Sequence, residues 1–68
     1  MNQEQLNTKA AETFADVTVQ DLIEKGVAPE IARGERPAMV AAFLSLVADG
    51  AILVAEDGIV LIPSRLRA

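Results

Sequence analysis

The chain contains no cysteine, histidine, tryptophan or tyrosine, and its only aromatic residues are Phe14 and Phe43. Without cysteine there is no disulfide and no thiolate to act as nucleophile or ligand. Without histidine the commonest general base and metal ligand is missing too, so no cofactor or metal is expected. Glycine occurs as four isolated residues at 26, 34, 50 and 58, which leaves no glycine-rich loop to cradle a phosphate. Basic charge is scarce as well. Six Lys and Arg stand against ten Asp and Glu for a net charge of −4, which opposes non-specific attraction to nucleic-acid phosphates. The longest apolar run, Ala38 to Ala48, is eleven residues, well short of the roughly 20 a membrane-crossing helix needs. Met1 to Thr8 is polar and carries neither the basic start nor the apolar stretch of a secretion signal, so a cytoplasmic protein is expected.

What the chain does have is apolar content. At 51% it is far too high for a disordered tail, and much of it is alanine, which favours helix and close packing. Sixty-eight residues make one small domain over 1–68, with 63–68 as a tail. A domain of this size hides only about 60% of the surface its unfolded chain exposes. Its core alone seldom contributes more than about 3–5 kcal/mol. With disulfides and Cys or His metal sites excluded, a partner chain is the staple that remains. Charge is also uneven along the sequence: residues 1–24 carry net −4, residues 25–37 net +1, residues 38–62 net −3 and the tail net +2.

Asn2 with Gln5 three residues on reads as a helix start, and Leu6, Ala10, Phe14 and Val17 recur at helical spacing, which predicts a helix to about Ala15. Thr18 to Asp21 reads as a capping box, with Val17 and Leu22 as a hydrophobic staple, so a second helix of two turns is expected to end at Lys25-Gly26. Pro29 and Gly34 bracket one helical turn or a short helix. Pro37 then suits the first turn of a further helix while pushing Arg36 out of helical geometry. From Ala38 to Asp49 the apolar residues Val40, Phe43, Leu44 and Val47, widened by Met39 and Leu46, predict the central core helix, ended by Gly50.

Ala51 to Ile62, AILVAEDGIVLI, is the most informative segment. Two apolar runs flank Asp57-Gly58, a turn signal in which glycine takes a positive φ without steric cost. A loop of Asp57 and Gly58 would set Ala55 opposite Val60, Val54 opposite Leu61 and Leu53 opposite Ile62. Side chains alternate along a strand, so Ile52, Val54, Ile59 and Leu61 share one face and Leu53, Ala55, Val60 and Ile62 the other. Both faces are apolar. The bulkier first set is assigned to the core, which leaves Leu53, Ala55, Val60 and Ile62 as the expected contact surface.

Little in the chain suggests catalysis. Glu56 with Asp57, and Glu12 with Asp16, are the carboxylate pairs available for acid–base work. A turn aspartate and a solvated helix face account for them more simply, so no enzyme and no small-molecule substrate is expected. Arg33 and Arg36 form the basic pair best suited to an acidic partner or a phosphate, with neutralisation by Glu30 and Glu35 as the plainer account. Arg65 and Arg67 are assigned to a solubilising tail.

The segments TVQDLIEKGV and AMVAAFLSLVADGAILVAEDGIVLI, spanning Thr18 to Ile62, resemble the winged helix-turn-helix superfamily, with Leu46, Val47, Gly50, Ile52, Gly58 and Val60 on its pattern of helix end, strand, tight turn and strand. The resemblance implies an α+β fold: a three-helix winged helix-turn-helix-like domain with a C-terminal two-stranded β-hairpin. Two features depart from it. The link from Val27 to Pro37 exceeds the usual three or four residues, and the segment matching a recognition helix offers Ala38, Ala41, Ala42, Ser45 and Ala48 where base-reading side chains belong. The resulting expectation is a non-catalytic protein-interaction module, a homodimer or one that docks on another protein, acting as a small acidic inhibitor of a nucleic-acid-handling complex in one version. The alternative is a small DNA-binding transcriptional regulator, with duplex DNA as a partner disfavoured by charge.

Overall fold

The computed structural model describes residues 2–62. It is an α+β arrangement of α1 (Gln3–Glu24), α2 (Pro29–Gly34), α3 (Arg36–Ala48) and an antiparallel hairpin of β1 (Ile52–Ala55) and β2 (Gly58–Leu61). The tail, with Arg65 and Arg67, lies outside the described residues.

Helix α1 opens at the expected start, and a capping box closes that end. The Asn2 side-chain oxygen accepts from the Gln5 N–H at 2.8 Å, and the Gln5 Oε1 accepts from the Asn2 N–H at 3.0 Å. The helix does not stop near Ala15, however. It runs on for 22 residues, so the two helices expected over 2–15 and 18–25 are one. The Thr18 hydroxyl, assigned to a cap, instead donates to the Phe14 carbonyl at 2.8 Å, the back-bond of a helix-interior threonine. Between residues 2 and 25 there is neither glycine nor proline, and a capping signal without a breaker does not interrupt a helix whose apolar period continues. The fold therefore has two full helices, α1 and α3, rather than three, with α2 a six-residue helical turn between them.

Two glycines set the reversals. Gly26 (φ 101°) follows α1 and Gly50 (φ 81°) follows α3, and each sits in a left-handed conformation that a Cβ would strain. At the second, the Gly50 N–H donates to the Val47 carbonyl at 3.0 Å and the Ala51 N–H to the Leu46 carbonyl at 2.9 Å. This paired closure turns the chain directly from α3 into β1, which packs against both α1 and α3. Arg36 opens α3 rather than standing outside it: the preceding Glu35 already has near-helical dihedrals, and Pro37 falls in the first turn, where its missing N–H has no helical partner to lose.

The core is small and rich in alanine. Ala11, Ala15, Ala32 and Ala51 are wholly inaccessible, and a cluster of Ala11, Phe43, Ile52 and Val54 forms its centre with Val40, Leu44, Leu46 and Val47 packed around it. This corrects the expected face of α1 in part. The buried residues of the helix are Ala11, Ala15 and Val19, about 100° round from the expected stripe, of which Leu6 and Ala10 are half-buried against the core while Phe14 and Val17 are exposed. Small side chains let α1 and α3 approach closely, and the larger residues are displaced to the rim. Phe14 still reaches Phe43, with ring centroids 5.5 Å apart and tilted by 35°.

The hairpin register also differs from expectation. Ile52 pairs with Leu61, Leu53 with Val60, Val54 with Ile59 and Ala55 with Gly58, so the two-residue loop is Glu56-Asp57 and Gly58 lies within β2. Gly58 does not take the positive φ expected of it. The shift is two residues, and because side chains alternate with a period of two the membership of each face is unchanged.

Candidate interaction surface

Leu53 and Val60 are direct cross-strand neighbours on the outer face of the hairpin, 53% and 56% exposed. Ala55 beside them is exposed, and Ile62 is half-buried, its N–H donating to the Ala51 carbonyl at 2.9 Å. Neither strand bears a charge, so the acidic side chains of the hairpin sit only at its tip, Glu56 and Asp57.

The inner face divides between the strands. Ile52 and Val54 are 4% and 9% exposed, whereas Ile59 and Leu61, on the same side of the same ribbon, are 48% and 57% exposed. Assigning all four to the core was therefore half wrong: β1 lies on the helices and β2 projects past them. Beneath β2 is an apolar hollow of about 500 Å³ that Phe14, Phe43, Leu46, Ile52, Ile59 and Leu61 help to line. A second groove of about 730 Å³ runs between α1 and the hairpin, with Phe14, Val17 and Ile59 on its walls and Lys9, Glu56 and Asp57 at its polar margin. Phe14 and Val17 are the surface residues that pattern reading missed. The available signal was the width of the apolar sector of α1, two adjacent stripes where a domain this small covers one.

The two edges of the hairpin are treated differently. The Gln3 side-chain amide donates to the Val54 carbonyl at 2.9 Å and to the Asn7 side chain at 2.8 Å, so α1 satisfies one carbonyl on the outer edge of β1. In an antiparallel ladder, bonded pairs alternate with non-bonded ones. The bond from Ile62 to Ala51 makes 51/62 a bonded pair, and 53/60 and 55/58 follow; the backbone groups of Ile59 and Leu61 therefore point away from β1. Among the described residues no side chain donates to or accepts from them.

The polar candidates are dispersed. Arg33 is exposed near the end of α2, while Arg36 in the first turn of α3 donates from Nε to Asp16 Oδ1 at 2.7 Å, a partner on α1 rather than the expected Glu35 or Glu30. That hydrogen bond and charge hold the Asp16 carboxyl below its usual range and raise the Arg36 guanidinium. A general acid requires the opposite shift to that of Asp16. Because the folded-state value of Asp16 is depressed, the pair supports the fold above the usual carboxylate range and loses that support as pH falls below it. Lys25 makes a second exposed pair with Asp21 at 2.8 Å. Among the described residues no group of three or more Asp or Glu is arranged to hold a metal, and no helix is long and apolar enough to cross a membrane.

No protein-family model, curated protein or solved structure matches this chain. The hairpin surface and its edge thus carry the functional argument.

Proposed function

We propose that this chain is a non-catalytic protein-interaction module that associates, with itself or with another protein, through the outer face of its hairpin, Leu53, Ala55, Val60 and Ile62. The observation that carries the reading is the Leu53–Val60 pair, two branched apolar residues side by side and more than half exposed on an uncharged ribbon. In a core this thin, covering that ribbon with a second molecule supplies burial that the single chain lacks. The passage from α3 through a glycine stop into a hairpin is also compatible with a winged-helix relationship, in which the hairpin would be the wing.

The test is the solution mass of the full chain across the micromolar range, alone and with Leu53→Glu or Val60→Glu. The wild type is expected to associate, and each variant to remain folded by circular dichroism but to associate at least tenfold more weakly. Variants that associate as the wild type does would refute the face.

A DNA-binding regulator is the second reading, supported by Arg33 in an exposed position close before α3. It ranks lower because the solvent side of α3 presents Ala38, Ala41, Ala42, Ser45 and Ala48, and because Arg36 is already engaged by Asp16. Salt-sensitive binding to duplex DNA that Arg33→Ala/Arg36→Ala abolishes would favour it instead.

A further inference from the structure

We infer that the free edge of β2 pairs antiparallel with β2 of a second copy about a two-fold axis at Val60, joining two hairpins into one four-stranded sheet. This rests on the hairpin being the contact element, and it names both the partner and the register.

The two edges of the hairpin are unequal. β1 has its outer carbonyl at Val54 covered by Gln3, while β2 turns the N–H and C=O of Ile59 and Leu61 outward with no protein partner among the described residues. An uncovered edge usually carries a lysine, a proline or a bulge that discourages pairing. Gly58 to Leu61 has none of these: it is a glycine followed by Ile59, Val60 and Leu61.

The register then selects a second copy of the same strand. Outward-pointing groups occur at 59 and 61, symmetric about 60, so a two-fold axis through Val60 sets Ile59 opposite the partner's Leu61 and Leu61 opposite the partner's Ile59. Both are bonded pairs, and together they supply four hydrogen bonds, one for every outward N–H and C=O of the two strands. A two-fold centred on Leu61 would set Ile59 against the partner's Pro63, which has no N–H to give. One centred on Ile59 would set Leu61 against the partner's Asp57, an acidic side chain beside an apolar one.

Charge agrees with this choice. At net −4 two copies repel in general, but antiparallel pairing about Val60 puts the two Glu56-Asp57 tips at opposite ends of the joined strands, about 20 Å apart at about 3.4 Å per residue. That is beyond the roughly 8 Å screening length at physiological salt. The apolar pattern agrees too. The half-exposed Ile59 and Leu61 each gain an apolar cross-strand neighbour on the hollow side, and the two Val60 side chains meet on the outer side, extending the Leu53–Val60 row across both molecules.

The absence of native cysteine makes the register directly testable by single thiols in the full chain. Val60 would face its own mate in a non-bonded pair with Cα atoms about 4.5 Å apart, inside the range a disulfide spans. Residues 59 and 61 would each lie more than about 7 Å from their own mates, outside it. Under mild oxidation with diamide, Val60→Cys is therefore expected to form covalent dimer at least tenfold faster than Ile59→Cys or Leu61→Cys, with the reduced variant melting as the wild type does. Fastest cross-linking of Leu53→Cys would overturn the edge pairing in favour of stacked outer faces, leaving the interaction reading intact. Equal rates at all four positions, or a wild type that stays monomeric at high micromolar concentration, would also overturn it. Rapid Val60→Cys cross-linking with association unaffected by Leu53→Glu would support the edge and refute the outer face.

Discussion

Strands β1 and β2 are both short and apolar and face each other residue for residue, yet β1 buries Ile52 and Val54 while β2 leaves Ile59 and Leu61 about half exposed. On the edge of β1 the Val54 carbonyl accepts from Gln3, whereas among the described residues no side chain bonds to the edge of β2. Residue type does not account for this, since isoleucine occupies the core face of each strand. Position does. The glycine turn after α3 lays β1 directly on the helices, and β2, one strand spacing of about 4.8 Å further out, extends beyond a helical layer only two helices wide. Burial in a domain this small is thus decided by distance from the helix pair, and the outer strand keeps an unsatisfied surface on its face and along its edge.

The contrast is sharpest at the two isoleucines. Ile52→Ala should cost about 2–5 kcal/mol, comparable with the whole stability of a domain of this size, and leave the chain largely unfolded by circular dichroism. Ile59→Ala should cost about 1 kcal/mol or less in dilute solution, where association is absent, because half of that side chain is already in water. Equal losses for the two would mean that β2 is as well covered as β1. The glycines at 50, before β1, and 58, the first residue of β2, give the next largest effect. Gly50→Ala should lower stability by about 1–2 kcal/mol through its left-handed φ. Gly58→Ala, with no positive φ and no atom within 4 Å of an added Cβ, should be neutral or gain up to about 1 kcal/mol in a thermal melt. The smallest effect belongs to the covered edge. Gln3→Ala removes the donor to Val54 and should cost about 0.5–1.5 kcal/mol in denaturant unfolding. No measurable loss would mean that water serves that carbonyl equally well and that the edges differ less than their bonding suggests.

Much of the local structure was legible. Asn2 and Gln5 marked the start of α1, Gly26 and Gly50 marked helix ends, and the spacing of Val40, Phe43, Leu44 and Val47 marked α3. The hairpin was legible from its two apolar runs, and the membership of each face was assigned correctly although the loop was placed one residue late, because that moves the pairing by two and an even slip preserves alternation. Thr18 misled because its hydroxyl has two uses, a cap or a back-bond, and the choice depends on whether the chain is broken there. Phe14 and Val17 misled because helical spacing was taken as a guide to burial, while close packing of α1 on α3 favoured Ala11 and Ala15. Of the candidate surface, the exposure of Leu53 and Val60 was anticipated, but the exposed Ile59 and Leu61, the covered edge at Val54 and the Asp16–Arg36 pair link residues too far apart in the chain for periodicity to connect.

By itself, the order of residues determined the cap at Asn2, the helix stops at Gly26 and Gly50, which side chains share a strand face, and the absence of thiol, imidazole and glycine-loop chemistry, because each of these depends on neighbours within a few positions. Only the tertiary structure decided which apolar residues are covered and which hairpin edge is left open. Those outcomes depend on how far two packed helices reach across a ribbon, a distance that no local pattern encodes.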